Sequence, residues 1–549
     1  MKNFYLLLLI IPFYNFAQIV QVKDIFPGSV AATPPATVPV QNSGNPTVLF
    51  DYNGMLLFRA TDGSNGVELW KSDGTAAGTI LVKDINTAAN SNGNPANFTL
   101  FGGNVFFSAT TGTSVTGTEL YKTDGTSSGT VLIKDINVGT ANGNPSNLTV
   151  LTPTLMVFGA NDGTTGVELF KTDGTASGTI NVVDYPGASG SISWIETFGT
   201  NAIMGQIAGS TGRELYKSDG TMANSSLILD INPGITVGGV GTDYIKALGQ
   251  IFFAGNSGST GLELWKTDGT AANTVLVKDI NTVIVSSSST ATQASSPKRF
   301  ATLGNSIYFN AVGANGSELW KSDGTAAGTT EVMDINPGVN GGNPDQIATA
   351  NGAIYYFASD NGTNNDLYKF DGITNTKLFD FNALSATVVT NFVVSGTLVY
   401  FAADSNADAK RELWQTDGTA AGTVAVASLN SLSLNATAVN FVTVVGNKIF
   451  FSAEFSEGVE LFAYSVPPLS NASFDLSTLN IYPNPTTGII NVGNEKSLPL
   501  SYKLYDVLGK IINSGKIVNN QLDINAERGV YFLELTSEIG KLTKKIIKN

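Results

Sequence analysis

The chain has 549 residues, 42% of them hydrophobic and 13% charged, and it carries a formal net charge of −14. The sequence contains no cysteine and no histidine, which excludes disulfides, thiolate nucleophiles, Cys/His zinc sites and histidine general bases. The acidic balance argues against nucleic acid as a partner.

The first 17 residues have the pattern of a secretory signal peptide. Lys2 provides a short basic start, Phe4 to Phe16 form an apolar stretch, and Ala17 offers a small residue for cleavage before Gln18. The stretch is shorter than the about 20 residues that span a bilayer, and a buried core strand or helix is the alternative. We predict a secreted mature chain that begins at Gln18 and has no integral membrane segment.

Residues 18–465 are built from one repeat. The segment ELWKSDGT recurs with variation at spacings of about 49 residues, together with an apolar run such as VFFSA (105–109) and a segment such as LVKDIN (81–86). With a weaker first strand, each repeat supplies about four short strands, which is typical of a propeller blade. The repeats resemble the ELWxxDGT repeat family of secreted bacterial proteins, a resemblance that implies no activity. The nine copies start at Glu68, Glu119, Glu168, Glu214, Glu263, Glu318, Asp366, Glu412 and Glu460.

The ends of this array predict a closed ring. The last copy stops at ELFAY, from Glu460, and has no LVKDIN-like strand of its own, whereas IVQVKDI at residues 19–25 is an extra one. The N-terminal strand would complete the last blade, and closure removes exposed sheet edges. We predict an all-β propeller of about nine four-stranded blades, with eight blades or an open solenoid as alternatives.

Each Asp-Gly pair of the repeat predicts a structural turn. Asp-Gly between strands is a strong hairpin signal because the turn needs a residue with positive φ. A recurrent calcium or glycan contact is the alternative, although the spacing matches no EF-hand loop. The predicted turn residues are Asp73, Gly74, Asp124, Gly125, Asp173, Gly174, Asp219, Gly220, Asp268, Gly269, Asp323, Gly324, Asp417 and Gly418.

Repeated acids and aromatics within the strands predict a scaffold rather than a site. A buried carboxylate needs a partner, and Lys71 and its equivalents are the candidate partners of Glu68 and of the Asp in LVKDIN. This hypothesis predicts that Glu263→Gln lowers the melting temperature. Trp, Tyr and Phe interchange at the position of Trp70, which favours packing between blades over a sugar-stacking platform.

A binding or catalytic site is expected where the repeats differ, since such a site is normally built once. The longest step between copies contains residues 282–299, which end in Lys298 and Arg299. The other departures are Trp194, Glu196 and Arg213 in the fourth repeat and Lys410 and Arg411 in the eighth. A Trp and a Glu near an Arg, as in the fourth repeat, suit sugar binding or cleavage, and surface decoration of a variable blade is the alternative.

The chain changes character after residue 465. Residues 466–479 are rich in Pro and Ser and predict a linker. Residues 480–549 carry nine Lys or Arg against six Asp or Glu, a net charge of +3 that leaves −17 for the rest of the chain. Short alternating segments separated by turn residues predict a small Ig-like β-sandwich.

An ordered set of motifs runs through this last segment and reaches the final residue. Its members are Pro483, Asn484, Pro485, Gly488, Gly529, Tyr531, Lys544 and Lys545. The segment resembles the type A C-terminal sorting domain of the type IX secretion system. The resemblance implies a Bacteroidetes-type cell, the secretion machinery as a partner, and removal of the domain near the linker, with release or attachment at the surface. An accessory Ig-like domain is the alternative.

Three functions remain open. We predict a secreted or surface-displayed binding protein for carbohydrate or cell-surface ligands, because a propeller offers a broad face of repeated loops. A glycoside hydrolase or polysaccharide lyase that uses carboxylates is the alternative, and a structural surface or matrix component is a further one. The sequence singles out no catalytic or cofactor-binding residue, an enzyme is the less favoured interpretation, and calcium remains open.

Overall fold

The structure is a computed structural model with two compact units, formed by the described residues of 1–466 and of 467–549. The predicted signal peptide, nearly all of the predicted linker, the middle of residues 282–299 and Lys410 lie outside the described residues. The description covers residues 19–549 except 31–39, 113–115, 165, 185–189, 209–211, 235–237, 284–291, 364, 382–390, 406–410, 427–436, 456–457, 467–479, 494–499, 508, 518–519 and 538–539.

The first unit begins with β1 (Ile19–Lys23) and a short antiparallel ribbon, β2 (Ser29–Val30) with β3 (Val40–Gln41). In its described residues, nine four-stranded antiparallel sheets, the blades, follow in sequence. Blades 1 to 3 are β4 (Thr47–Tyr52), β5 (Met55–Thr61), β6 (Val67–Ser72) and β7 (Ile80–Lys83); β8 (Ala96–Phe101), β9 (Asn104–Thr110), β10 (Thr118–Thr123) and β11 (Val131–Lys134); β12 (Ser146–Thr152), β13 (Leu155–Asn161), β14 (Val167–Thr172) and β15 (Ile180–Val183).

The middle blades add single-turn 3-10 helices, Met222–Asn224 and Ala271–Asn273, between the third and fourth strands of blades 4 and 5. Blades 4 to 6 are β16 (Ser191–Phe198), β17 (Asn201–Ile207), β18 (Arg213–Ser218) and β19 (Ser226–Leu229); β20 (Val240–Ala247), β21 (Gln250–Asn256), β22 (Leu262–Thr267) and β23 (Val275–Lys278); β24 (Lys298–Leu303), β25 (Ser306–Gly313), β26 (Gly316–Ser322) and β27 (Thr330–Met333).

The last blades include the shortest strands, and the ninth is composed of both ends of the unit. Blades 7 to 9 are β28 (Asp345–Ala350), β29 (Ala353–Ala358), β30 (Asp366–Phe370) and β31 (Asn375–Phe379); β32 (Val393–Ser395), β33 (Leu398–Ala403), β34 (Glu412–Thr416) and β35 (Val424–Ala425); β36 (Thr437–Val445), β37 (Lys448–Phe455) and β38 (Gly458–Ser465) with β1.

Burial explains why each strand of a blade has its own sequence pattern. The second strand is covered on both faces, so β9 is a continuous apolar run with Val105 to Ala109 all buried. The fourth strand lies at the edge of its blade and is only partly covered, so Val82 is buried in β7 while Ile80, nearer the start of the strand, is exposed. The difference in apolar content between the strands of a repeat therefore follows from the position of each strand in its blade.

The blades pack side by side into a ring. Nine apolar clusters each combine residues of two consecutive blades, and the ninth cluster joins blade 9 to blade 1. Leu69 packs against Phe107 of blade 2, whereas Trp70 packs against Phe450 of blade 9. Neighbouring residues of a strand point to opposite faces, so the Leu and the aromatic of each repeat join the blade to its two neighbours.

The N-terminal strand closes the ring. Strand β1 pairs antiparallel with β38, and Ile19 lies opposite Tyr464. Val22 and Ile25 belong to the cluster between blades 9 and 1. The predicted nine-bladed propeller closed by residues 19–25 is confirmed, and the eight-blade and open-solenoid alternatives are wrong for this chain.

The second unit contains two sheets within the described residues. Its strands are β39 (Asn480–Tyr482), β40 (Ile489–Gly493), β41 (Ser501–Tyr505), β42 (Ile511–Lys516), β43 (Gln521–Asp523), β44 (Gly529–Ser537) and β45 (Gly540–Lys548). The sheet orders are β39-β40-β43 and β42-β41-β44-β45, and Ile490, Leu504 and Leu533 pack in their common core. The predicted small β-sandwich is confirmed.

Among the described residues of the whole chain, no helix has the length and apolar character to cross a membrane.

Candidate functional site

Antiparallel strands place the connections of the propeller on two opposite faces. One face carries the connections between the third and fourth strands of each blade, which contain the Asp-Gly pairs, and we call it the turn face. The other carries the connections between second and third strands and between successive blades, and we call it the loop face.

The Asp-Gly segments on the turn face are closed by their own hydrogen bonds. The Oδ1 of Asp73 accepts the backbone N–H of Thr75 at 2.8 Å and its hydroxyl at 2.7 Å, which lowers the pKa of Asp73. Gly74 has a φ of +84°. A Cβ on Gly78 would lie 2.1 Å from Asp73 Oδ1, so glycine is required there. The turn spans residues 73–79 rather than two residues, and its geometry is that of a structural turn.

Five of the repeated lysines bind the turn of the next blade and not the buried acids. The ammonium of Lys71 donates to the carbonyl of Gly125 in blade 2 at 2.9 Å, and Lys122 donates to that of Gly174 in blade 3 at 3.1 Å. Lys171, Lys266 and Lys369 make the same contact with Gly220, Gly324 and Gly418. The hypothesis that the lysines pair with the repeated carboxylates is therefore wrong for these five, and each of them instead connects two blades.

The repeated glutamates are buried and bind backbone amides. Glu119 accepts the N–H of Ile136 at 2.7 Å, at the end of its own blade, and that of Gly143 at 2.6 Å, in the connection to the next blade. A Cβ on Gly143 would lie 2.5 Å from the Glu119 carboxylate. The same pair of bonds recurs at Glu68, Glu214 and Glu318, at Glu263 with Ser295 in place of the glycine, and at Glu460.

Burial makes these glutamates weaker acids than exposed glutamates. Desolvation raises the pKa of Glu68, Glu119 and Glu263 to about 7, although their amide hydrogen bonds oppose the rise. The Asp of each LVKDIN segment adds to the effect by repulsion, as Asp84 does for Glu68. These carboxylates are parts of the scaffold, because their oxygens are occupied by the chain itself.

A cleft on the loop face breaks the nine-fold pattern. It has a volume of 390 Å³ and lies across blades 4, 5 and 6, within the size range of small-molecule sites. Two cationic side chains, Arg213 and Lys298, and one carboxylate, Asp243, line it. The remaining lining residues are Gly238, Val240, Gly241, Thr242, Ala254, Asn256, Leu262, Ser296 and Pro297.

A glycine opens this cleft where other blades have a bulkier residue. Gly239 donates to Glu214 as Gly93 donates to Glu68, so Gly241 occupies the position of Pro95. The same position holds Pro46, Pro145, Pro297 and Pro344 in other blades. The sequence signal of this position is the Gly-Asn-Pro triplet, which occurs at residues 44–46, 93–95, 143–145 and 342–344 and is replaced by Gly-Val-Gly at 239–241.

The three residues that distinguish the fourth repeat, Trp194, Glu196 and Arg213, do not form one site in the structure. Trp194 is buried, stacks on Tyr244 at a centroid distance of 4.5 Å and donates to the carbonyl of Gly241 at 3.0 Å. Glu196 lies 3.6 Å from Lys246. Only Arg213 of the three reaches the cleft, so a Trp–Glu–Arg sugar site is not formed, and Trp194 instead supports the floor of the cleft.

The cationic residues that depart from the repeat in the later blades also lie at different places. Lys298 lines the cleft, whereas Arg299 pairs with Asp345 at 2.7 Å. Arg411 donates to the side-chain oxygen of Asn440 in blade 9. The structure thus brings together Arg213 and Lys298, which are far apart in sequence, and leaves Arg299 and Arg411 with partners elsewhere.

The motif residues of the second unit connect its first segment to its last strand. Asn484 donates to the carbonyl of Lys545 at 2.7 Å and accepts the N–H of Ile547 at 2.9 Å. Tyr531 is buried and donates to the carbonyl of Glu527 at 2.9 Å. Gly529 lies opposite Lys548, and Lys544 lies opposite Leu533. Pro483 and Pro485 flank Asn484, and Gly488 donates to the hydroxyl of Thr486.

Comparison with known families identifies this second unit. Residues 480–549 match the family model described as the secretion system C-terminal sorting domain. The chain therefore carries a type IX sorting domain and is secreted to the cell surface or the extracellular space, as predicted. The match covers only this domain and leaves the propeller unassigned. No curated protein matches the chain.

Solved structures with a similar arrangement are distant. PorZ, titled an essential bacterial surface component of the type-IX secretion system of Porphyromonas gingivalis, is 13% identical, with 94% of this chain and 82% of that chain covered and a TM-score of 0.25. The extracellular domain of a putative hybrid two component system of B. thetaiotaomicron is 10% identical, with coverages of 95% and 75% and a TM-score of 0.32. A prolyl endopeptidase is 11% identical, with coverages of 76% and 55% and a TM-score of 0.35. All three TM-scores are low, so these likenesses support no conclusion about ligand or activity.

Proposed function

We propose that the mature chain is a secreted or surface-displayed binding protein whose ligand occupies the cleft across blades 4, 5 and 6. The observation that carries the proposal is the cleft itself, which stands on the loop face where Gly241 replaces the proline of other blades. Repeated residues build the scaffold, while the residues that line the cleft depart from the repeat. An asymmetric pocket with a few convergent polar groups is the usual form of a ligand site.

The chemistry of the lining favours binding over glycoside hydrolysis. A glycosidase needs two carboxyl groups that flank the scissile bond, and among the described residues Asp243 is the one carboxylate in the lining. Carbohydrate is the ligand class we propose, because the lining includes hydroxyl, amide and charged side chains. The sorting domain places such a protein outside the cell, where polysaccharides are accessible.

The experiment uses residues 18–549, incubated with a panel of soluble polysaccharides and glycans, with retention and new reducing ends scored together. Retention without new ends supports the proposal. New reducing ends would show that the protein is an enzyme. If those ends persist in Gly241→Asn, the catalytic site lies outside the cleft. Retention that Gly241→Asn leaves unchanged would place the ligand outside the cleft and overturn the proposed site.

A further inference from the structure

Two arginines stand at the same place in two blades and have different surroundings. Arg213 and Arg411 each precede the repeated acid of their blade, Glu214 and Glu412. Arg411 donates from Nη2 to the amide oxygen of Asn440 in the next blade. The blade that follows Arg213 offers no such group at that position, because it has Gly241 there.

The hydrogen bonds of the backbone establish this equivalence. The N–H of Val439 donates to the carbonyl of Arg411, as the N–H of Asn94 donates to that of Val67. Asn440 therefore corresponds to Pro95, and so does Gly241. The amide that accepts the Nη2 hydrogen bond of Arg411 between blades 8 and 9 has no counterpart between blades 4 and 5, where the cleft lies.

The guanidinium of Arg213 is left available to a ligand. Within the described residues its Nε is buried without a hydrogen-bond partner, and no ion pair of Arg213 is formed. An unpaired donor in a buried position costs free energy unless something binds it. Lys298 adds a second cation to the same lining, while Asp243 is the one acid there.

We propose that this cleft recognises the carboxylate of an acidic sugar, a hexuronate residue of a polysaccharide. A guanidinium suits a carboxylate because its fork matches the two oxygens. Lys298 supplies a second charge, and Thr242, Asn256, Ser296 and Asp243 line the remaining wall with groups that bond sugar hydroxyls. The inference rests on the proposed function and names the ligand class of that same cleft.

The cleft can take an anion although the body of the protein is acidic. The chain without residues 480–549 carries a formal charge of −17, which repels polyanions at long range. The two cations of the lining act at contact distance, where screening by salt is weaker than for separated surface charges. Binding of a uronate should therefore be local and selective rather than a general attraction to polyanions.

The experiment titrates residues 18–549 with tri-galacturonate, with neutral galactotriose and with acetate by isothermal calorimetry. We expect tri-galacturonate to bind at least about tenfold more tightly than galactotriose, since a charge-assisted hydrogen bond is at stake. Arg213→Ala and Gly241→Asn should each weaken tri-galacturonate binding about tenfold or more. Gly241→Asn recreates the Arg–Asn pair of blades 8 and 9, and Lys298→Ala serves if either variant is unstable.

Lys246→Ala is the matched control, because it removes one positive charge from β20, the strand that carries Gly241, at a position outside the cleft lining. Equal binding of the neutral and acidic trimers, or unchanged affinity in Arg213→Ala, would overturn the acidic-sugar assignment and leave the proposed binding function standing. Acetate that binds as tightly as tri-galacturonate would show a general anion site and would also overturn it. Failure of every saccharide, here and in the polysaccharide panel, would overturn both proposals.

Discussion

The backbone N–H of Ile25 donates a 2.9 Å hydrogen bond to Oε2 of Glu460, a residue 435 positions away in the sequence. The same carboxylate accepts the N–H of Gly44 at 2.7 Å, where the first blade begins. One side chain thus connects the N-terminal strand, the last blade and the first blade. The closure of the ring uses the same pair of amide bonds that connects other successive blades.

The closing strand allows the first prediction. Val22 is 4% exposed between blades 9 and 1, whereas Val20 on the same strand is 40% exposed. Val22→Asn should lower the free energy of unfolding by about 2–4 kcal/mol because it buries an unpaired amide. The measurement is denaturant unfolding of residues 18–549, with Val20→Asn as the control. Equal effects of the two variants would show that β1 does not seal the ring.

The glutamate–amide bonds allow the second prediction. Glu119→Gln replaces one acceptor oxygen with an NH₂ group that faces an N–H donor, either of Ile136 or of Gly143. We expect a loss of about 1–3 kcal/mol in the free energy of unfolding, with no change in ligand affinity, since blade 2 is remote from the cleft. Glu331→Gln, at a partly exposed glutamate, is the control. Unchanged stability in Glu119→Gln would contradict a scaffold role for these acids.

The pH dependence of stability follows from the same residues. The pKa of Glu68, Glu119, Glu263, Glu318 and Glu460 is raised from 4.5 to about 7 by burial. The folded chain therefore binds more protons than the unfolded chain between those values, so its stability falls as the pH rises. The contribution is complete below about pH 4.5 and is lost as the pH passes 7.

Unfolding in denaturant at pH 5.5 and pH 8 tests this sign. We expect higher stability at pH 5.5, and a smaller difference between the two pH values in Glu119→Gln, which has one titrating group fewer. Greater stability at pH 8 would show that the amide hydrogen bonds outweigh the cost of burying the charge. The exposed Asp73 does not obscure the comparison, since its lowered pKa acts at more acidic pH.

In blade 7 a lysine as well as a backbone amide binds the buried acid, which allows a fourth prediction. Its repeat has Asp366 in place of glutamate, and Lys377 lies 2.6 Å from Asp366 and 2.8 Å from Asp360. The shorter Asp366 still accepts the N–H of Phe381 at 3.1 Å. The ammonium of Lys377 compensates the second, buried oxygen.

Lys377→Met should therefore destabilise the fold by about 2 kcal/mol, because it leaves a buried carboxylate without its cation. The matched control is the double variant with Asp366→Asn, in which neither charge remains. A double-mutant cycle of unfolding free energies should show a coupling of about 1 kcal/mol or more. Additive effects would mean that Lys377 does not stabilise the fold through its charge on Asp366.

Much of the propeller was predictable because its interactions are periodic. The period of the repeat, the apolar second strand and the extra LVKDIN-like strand at residues 19–25 each reflect a local requirement of one blade, so they recur in the sequence. The Asp73-Gly74 turn was predictable for the same reason, since its hydrogen bonds lie within residues 72–79. The sorting domain was predictable because its motifs stand in order over one short segment.

The partners of the repeated polar residues were not predictable in this way. Lys71 was expected to meet Glu68, yet it binds Gly125 in the next blade, and Glu68 binds the amides of Ile85 and Gly93. Side-chain types indicate which groups need a partner, but backbone amides are present at every residue and leave no mark in the sequence. Only the packing of one blade on the next selects which amides lie within reach.

The sequence by itself indicated a propeller of about nine blades and its closing strand, because a repeated fold repeats its local constraints, and the motifs of the last segment indicated the route of export. Tertiary structure decided the exact blade number, and it alone decided the candidate site. It buried Trp194, paired Arg299 with Asp345, and brought Arg213 and Lys298 into the lining of one cleft. The physical reason is that a cleft arises from what neighbouring blades leave unfilled, here at Gly241, and the space beside a glycine is set by residues distant in the chain.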